Sequence, residues 1–400
     1  MKRIELPVGT DTWAFTVRPE ALLRPVPTPR PPANPRTLMR DALAAPLGLG
    51  VPLHRAFTPD DRVAIVIDPR LPQLGELIAG VLEHLAETRI EPGAVTLLAP
   101  PGSSDAWLMD LPDEFSEATL ETHDPADRKR LAYVSTTKGG RRLYMNRTLV
   151  DADAMIVLSG RGFDPRLGYA GAEAALFPAF SDTETRSELD GTFNPAPPDP
   201  IPNSTRTEAS EVAWLLGTPL MIQVIEGPGD TIAEIVAGLP DSTSEGIRRQ
   251  NARWRIDMTD RADLVLAAVA GSTDRTDFTR IAAAAACGTR VLKPGGRVVV
   301  LTTAAPTLPD AVEFLRSAGN PISAAKLLLK EPLDDATGAL LWLFAAQSQG
   351  LSVASGWPAD VVTELFATPV NSVAEVQAML DNAERILIVP DADKTMLCGT

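Results

Sequence analysis

One feature limits the fold of this chain more than any other: short, fully apolar runs that alternate with amphipathic stretches. Arg62–Ile67 (RVAIVI) is too short and too β-branched for a buried helix and reads as a strand. Leu74–Glu87 follows with helical periodicity. Val95–Ala99, Ala154–Leu158 and Leu220–Ile225 are further apolar strands, the last entered from a helix around Glu208–Leu216. Uninterrupted apolar strands separated by helices predict a parallel sheet covered on both faces. Beyond a helical, linker-like stretch at Ser244–Arg255 the pattern resumes. Strands are predicted at Asp263–Val269, Arg297–Leu301 and Ile386–Val389, with helices at Phe278–Gly288, Val312–Ala318 and Ala336–Gln349. The expected fold class is therefore α/β, with two doubly wound, Rossmann-like domains and a cleft between them. The expected division is 1–250 and 251–400, and 400 residues suit two cores better than one. Residues 1–17 alternate and read as a hairpin, whereas the proline-rich segments 24–36 and 194–203 exclude regular structure.

Composition narrows the partners. Net charge is −15, which disfavours nucleic-acid phosphates and anionic membranes, so neither is an expected partner. No apolar run reaches the length of a spanning helix, and no apolar segment follows Lys2-Arg3, so no leader peptide is expected. Cys287 and Cys398 show no metal spacing, which fits a reducing cytoplasm. The three histidines, His54, His84 and His123, show no metal spacing either, and no metal ligand is predicted.

Ligands of doubly wound sheets bind beyond the carboxyl ends of the strands. Asp68-Pro69-Arg70 stands there, straight after Ile67. Its guanidinium can clamp an anion bidentately, and its bland reading is a strand-ending turn. Ser159-Gly160-Arg161-Gly162 and Gly168-Tyr169-Ala170-Gly171 follow the strand Ala154–Leu158, where exposed amides can hold an anion. The candidate ligand-binding residues are Arg70, Arg161, Gly168, Gly171 and Arg280. The catalytic candidates are Asp68, Arg70, Arg166 and Glu173. Lys293-Pro294-Gly295-Gly296, with Glu226-Gly227-Pro228-Gly229 upstream, resembles the turns of methyltransferases that use a sulfonium methyl donor. The loop lacks a third glycine, and a plain turn is the simpler reading.

Taken in order, the segments from residue 62 to residue 296 resemble the nickel-dependent lactate racemase (LarA) family. Arg62–Leu85 is similar to that family's strand, Asp-His-Thr-Arg-Pro turn and helix. Gly168–Pro178 aligns without a gap on its Gly-Phe-Ser-Gly-Gly-Arg-Lys-Ser-Val-Leu-Pro stretch, and Ala270–Gly296 on its Gly-Gly-Tyr-Pro helix and Lys-Gly-Gly turn. The resemblance implies a nickel pincer nucleotide joined to a lysine, a histidine on the metal, and two histidines serving a 2-hydroxy acid as acid and base.

This chain departs from the pattern at most of those positions. Ala174 stands at the cofactor-bearing lysine, Glu173 at the preceding arginine, and no lysine occurs between Lys138 and Lys293. Histidine positions fall on Pro101-Gly102-Ser103-Ser104, near Arg166, and near Asp190 or Gly191. Arg280 and Ala283 replace a glutamine and a lysine; Ala336 falls at a tryptophan, with Trp342 nearby. Asp68 survives, while Leu71 takes the arginine position beside Arg70. The expectation is a family protein with a remodelled site and no cofactor, binding a small anionic ligand such as a hydroxy acid. Glu173, Asp164 and Asp277 are the acids that would instead neutralise the cleft arginines. The alternatives are an active nickel-pincer racemase or epimerase with relocated residues, a methyltransferase, and a non-catalytic interaction partner.

Overall fold

The computed structural model describes residues 1–27, 33–103, 111, 113–190, 192–198, 204–330, 333, 336–348 and 350–399. The first sheet runs, edge to edge, through Thr119–Thr122, Val95–Ala99, Val63–Ile67, Ala154–Asp164, Leu220–Glu226 and Ile232–Gly238, and Gly168–Ala170 pairs to Ala154–Asp164. All pairings along this path are parallel except the last. The second sheet is wholly parallel, in the order Thr368–Pro369, Leu351–Ala354, Leu292–Leu301, Ala262–Ala268, Ile386–Val389. The fold is α/β with two doubly wound sheets.

The strands are apolar throughout because both faces are covered. Val63, Ile65 and Ile67 pack on one side with helix Leu74–Ala86, and Ala64 and Val66 on the other with helices Glu173–Leu176 and Ser204–Leu215. Val265 and Ala267 of the second sheet face helices Phe278–Thr289 and Ala336–Ala346. Its opposite face, Leu264, Leu266 and Ala268, is covered by helix Val373–Asn382 and by the hairpin Lys2–Val8 with Asp11–Val17. The hairpin thus follows its sequence pattern but joins the second core. Its Ile4, Leu6, Val8, Phe15 and Val17 are all buried there, each worth roughly 1.5–3 kcal/mol of apolar transfer.

Three local expectations change. The helical stretch expected at Ser244–Arg255 is helix Thr243–Trp254, but it is no free linker: it packs on the first sheet through Gly246, Gln250 and Trp254. These residues recur every four positions and so share one face. Pro35 does not interrupt structure but opens helix Pro35–Ala44, where a missing N–H costs nothing; residues 28–32 and 199–203 of the proline-rich segments lie outside the described residues. Lys293-Pro294-Gly295-Gly296 is no helix-to-strand turn. It lies inside strand Leu292–Leu301, where Gly295 takes φ +77° and the pairing register shifts. Among the described residues no helix is long and apolar enough to cross a membrane.

Candidate functional site

The winding of the first sheet reverses between Val63–Ile67 and Ala154–Asp164, which puts a crevice at their carboxyl ends. Asp68 sits in it. Its backbone N–H donates to Leu158 O (3.0 Å), its Oδ1 accepts from Arg70 N (3.1 Å) and Nε (3.2 Å), and its Oδ2 accepts from Gly160 N (3.4 Å). Burial by itself raises the Asp68 carboxyl, but the charge and hydrogen bonds of Arg70 hold it below the ordinary carboxylate value. Ser159–Gly162, expected as a loop after the strand, continues strand Ala154–Asp164 in register with Gln223–Ile225, and the structure brings this segment together with Asp68 and Arg70.

Arg161 points inward and is buried. Its Nε donates to Gln223 Oε1 (2.8 Å), Nη1 to Ala170 O (2.8 Å) and Gly171 O (3.2 Å), and Nη2 to Thr243 O (3.2 Å). Burial pulls its guanidinium down to about 10, against the charge of Glu173. Glu173 is buried too, and both its oxygens accept from Thr243 Oγ1 at 2.8 Å. Gly171 must be glycine: its φ is +78°, and a Cβ there would lie 2.3 Å from Gly160 O. Gly168, at φ +82°, opens strand Gly168–Ala170 against Pro198 and Arg206. Arg166 closes the turn before it, its N–H on Asp164 Oδ1 (2.7 Å) and its Nη2 3.7 Å from Asp164 Oδ2.

Arg280 stands apart, on the second sheet's helix. Its Nε donates to Asp393 Oδ2 (2.8 Å) and its Nη1 to Arg275 O (3.1 Å), while its N–H is capped by Asp277 (2.8 Å). Arg275 spans the seam between the sheets, donating to Arg70 O at 2.5 Å and pairing with Asp230. The cavity bordered by Asp164, Arg290 and Asp393 holds 40 Å³, room for about one water molecule and too small for a hydroxy acid. A larger cavity of 420 Å³ lies at the amino ends of the first sheet's strands, beside Arg62, Thr96 and Arg147, away from the expected crevice.

The second sheet reverses between Ala262–Ala268 and Ile386–Val389. The turn Glu226–Asp230 of the first sheet plugs that point. Gly229 N donates to Asp391 Oδ1 (2.6 Å), and Lys394 Nζ donates to Gly227 O (2.9 Å) and Gly229 O. Asp230 accepts from Ser272 N at 2.5 Å. Burial pushes the Asp391 carboxyl up to about 6, with Lys394 acting against it. The Glu226-Gly227-Pro228-Gly229 segment is thus a hairpin turn leading into an antiparallel strand, not the strand-to-helix loop that would cradle a methyl donor.

Sequence reasoning passed over Gln223, Thr243, Asp230 and Lys394. Gln223 did carry a signal, as the one polar residue in the buried strand LMIQVI. Trp342, considered as a contact residue, is fully buried and donates to Leu365 O (2.7 Å). His123 uses both ring nitrogens, against Ser181 O (2.9 Å) and Asn146 Nδ2 (3.3 Å). Ser104 and Gly191 lie outside the described residues.

Fold and crevices together define a two-domain α/β protein with paired switch points. Residues 8–188 match the lactate racemase N-terminal domain family. The lactate racemase apoprotein from Thermoanaerobacterium thermosaccharolyticum has a similar structure, with a TM-score of 0.79 at 16% identity, covering 99% of this chain and 100% of that one. A Thermotoga maritima protein is similar at TM-score 0.66 and 12% identity, over 93% of this chain and 100% of its own. No curated protein matches the sequence.

Proposed function

We propose that this chain is a lactate-racemase-family protein with a remodelled site that works without the nickel pincer nucleotide and captures a small anionic ligand, such as a hydroxy acid, at Arg70. The observation that carries the reading is the contrast among the four candidate arginines. The Arg70 side chain is 73% exposed, that of Arg166 28% and that of Arg280 18%, while Arg161 is 6% exposed. Asp68 orients Arg70 through Nε, which leaves the planar end of the guanidinium directed at solvent for a carboxylate.

The residues present do not suit the pincer nucleotide. Ala174, in the short helix Glu173–Leu176, has no amine for a thioamide link. Arg161, Gln223 and Thr243 fill the crevice beside it with mutual hydrogen bonds, and an imidazole for nickel or for acid–base work is absent from the described crevice residues. We therefore read the chain as a non-catalytic relative, a pseudoenzyme of an isomerase family. We also place it in the reducing cytoplasm, in keeping with the free, buried Cys287 and Cys398, and keep the division 1–250 and 251–400 as part of the proposal, except that the hairpin Lys2–Val17 packs with the second core.

The test is native mass spectrometry with metal analysis on protein co-expressed with the enzymes that make the pincer nucleotide. The expected result is the apo mass without nickel. A nickel-bearing adduct overturns the reading and points to a new attachment residue. Calorimetric titration with lactate then examines the ligand, and the absence of saturable binding removes the hydroxy-acid assignment.

A further inference from the structure

We infer that His54, His84 and Glu87 form a site for a divalent transition metal, separate from both switch points. His54 lies in the 3-10 turn Leu53–Arg55, and His84 in the last turn of helix Leu74–Ala86, which Glu87 caps. That helix starts at the carboxyl end of strand Val63–Ile67 and runs back along the sheet. Its end therefore lies by the amino edge of the strands, opposite Asp68 and Gly160.

One ligand atom from each residue lies within 4.8 Å of the other two. His54 Nδ1 is 3.1 Å from Glu87 Oε2, and His84 Nδ1 is 3.9 Å from Glu87 Oε1. The two imidazole rings are 5.4 Å apart, tilted at 58°. Bonds of 2.0–2.2 Å to a tetrahedral zinc place donor atoms about 3.3 Å apart. The nearer contact already has that spacing. The wider one closes by rotation of Glu87, whose side chain is 56% exposed and free to turn. Its exposed side also leaves the fourth position to water.

Two further observations point to a ligand. His54 Nδ1, the atom that faces Glu87, is buried and has no hydrogen-bond partner because its approach to Glu87 lacks hydrogen-bond geometry, and neither has His84 Nε2, which a flip of the imidazole turns toward the site in place of Nδ1. Leaving such atoms unsatisfied costs about 1–3 kcal/mol each, whereas a lone pair directed at a cation is satisfied. His84 is 5% exposed. Burial, with His54 beside it, holds its imidazole below the ordinary histidine value against the pull of Glu87. Two imidazole nitrogens and one carboxylate select zinc, nickel or copper over calcium or magnesium, which prefer oxygen. The three residues escaped notice in the sequence because only His84 and Glu87 are near neighbours, three apart on the helix end; His54 arrives across a separate turn.

The experiment is calorimetric titration of the chelator-treated full chain with zinc chloride alone, with bound metal measured after gel filtration. The expected result is one zinc per chain at micromolar or tighter affinity. Glu87→Gln, on an exposed side chain that the fold does not need, should weaken binding at least tenfold, and His54→Gln with Glu87→Gln should abolish it while circular dichroism stays native. Zinc should raise the melting temperature of the native chain and leave that of the double variant unchanged. Absence of saturable zinc uptake by the native chain, or uptake equal in the double variant, overturns the site. The readout needs no pincer nucleotide, so it stands or falls apart from the proposed function.

Discussion

Between Val63–Ile67 and Ala154–Asp164 the crevice is closed by side chains of the sheet that forms it. Between Ala262–Ala268 and Ile386–Val389 it is closed by backbone lent from the other sheet. The first arrangement is a buried guanidinium in a ring of acceptors, Gln223 Oε1 and the carbonyls of Ala170, Gly171 and Thr243. The second is a turn, Glu226–Asp230, pinned by Asp391, Lys394 and Ser272. Two sheets of one winding can thus lose an open crevice by unlike means. The first closes by local substitution, the second by docking, and the first leaves the largely exposed Arg70 guanidinium at its rim.

The comparison is broken most severely at Arg161. Arg161→Leu strands Gln223 Oε1 and three carbonyls without their donor and takes the nearby positive charge from buried Glu173, and about 3–5 kcal/mol of stability should be lost in urea unfolding. A loss under 1 kcal/mol would mean the ring is not what closes the first crevice. At the second crevice the lever is pH. Asp391 faces Lys394, Asp393, Arg280 and the Gly229 amide, and its carboxyl sits near 6, above its ordinary value of 3.8. The native state therefore holds that proton more tightly than the unfolded chain does. Its stabilisation is complete below about pH 4 and is lost as pH rises through 6, by about 1–3 kcal/mol. Measured against Asp391→Asn, which cannot titrate, the native chain should lose ground in unfolding midpoint between pH 4 and pH 7; a flat difference would contradict this.

Smaller effects sharpen the contrast. Asp230→Ala removes the acceptor of Ser272 N and Arg275. Its side chain is 25% exposed, so the loss should be about 1–2 kcal/mol by thermal unfolding, discounted for solvent screening. Arg70→Ala should change stability by less than about 0.5 kcal/mol, as for an exposed ion pair. The same substitution should weaken lactate binding by about tenfold in calorimetry, near 1.4 kcal/mol. Equal affinity in the two proteins would remove Arg70 from the proposed site.

Much of this architecture was legible beforehand, for a physical reason. Strands such as RVAIVI and LMIQVI are buried on both faces, and that burial is written into composition at every position. Strand Ile232–Gly238 was not, because it follows Leu220–Glu226 through a turn rich in glycine and proline that reads equally as a loop. Helix Thr243–Trp254 looked polar enough for a linker because only its narrow face of Gly246, Gln250 and Trp254 meets the sheet. In the first crevice, Asp68, Arg70 and the two glycine clusters stood out by their place at strand ends. Their partners Thr243 and Gln223 come from distant segments, and no local pattern links residue 161 to residues 223 and 243. The plug at the second crevice is less legible still, since it depends on how the two sheets meet.

The hairpin Lys2–Val17 also sets an order of events. Its partners in the second core extend to Ile388, about 370 residues further along the chain. At synthesis rates of 5–20 residues per second, roughly 20–70 s pass before the last of them emerges. Until strands Ala262–Ala268 and Leu292–Leu301 have emerged, Ile4, Leu6, Val8, Phe15 and Val17 have no core to enter, although the first sheet can already close. The hairpin strands are thus made before the first sheet yet dock after it, and their apolar faces stay without a partner for as long as the second sheet is incomplete.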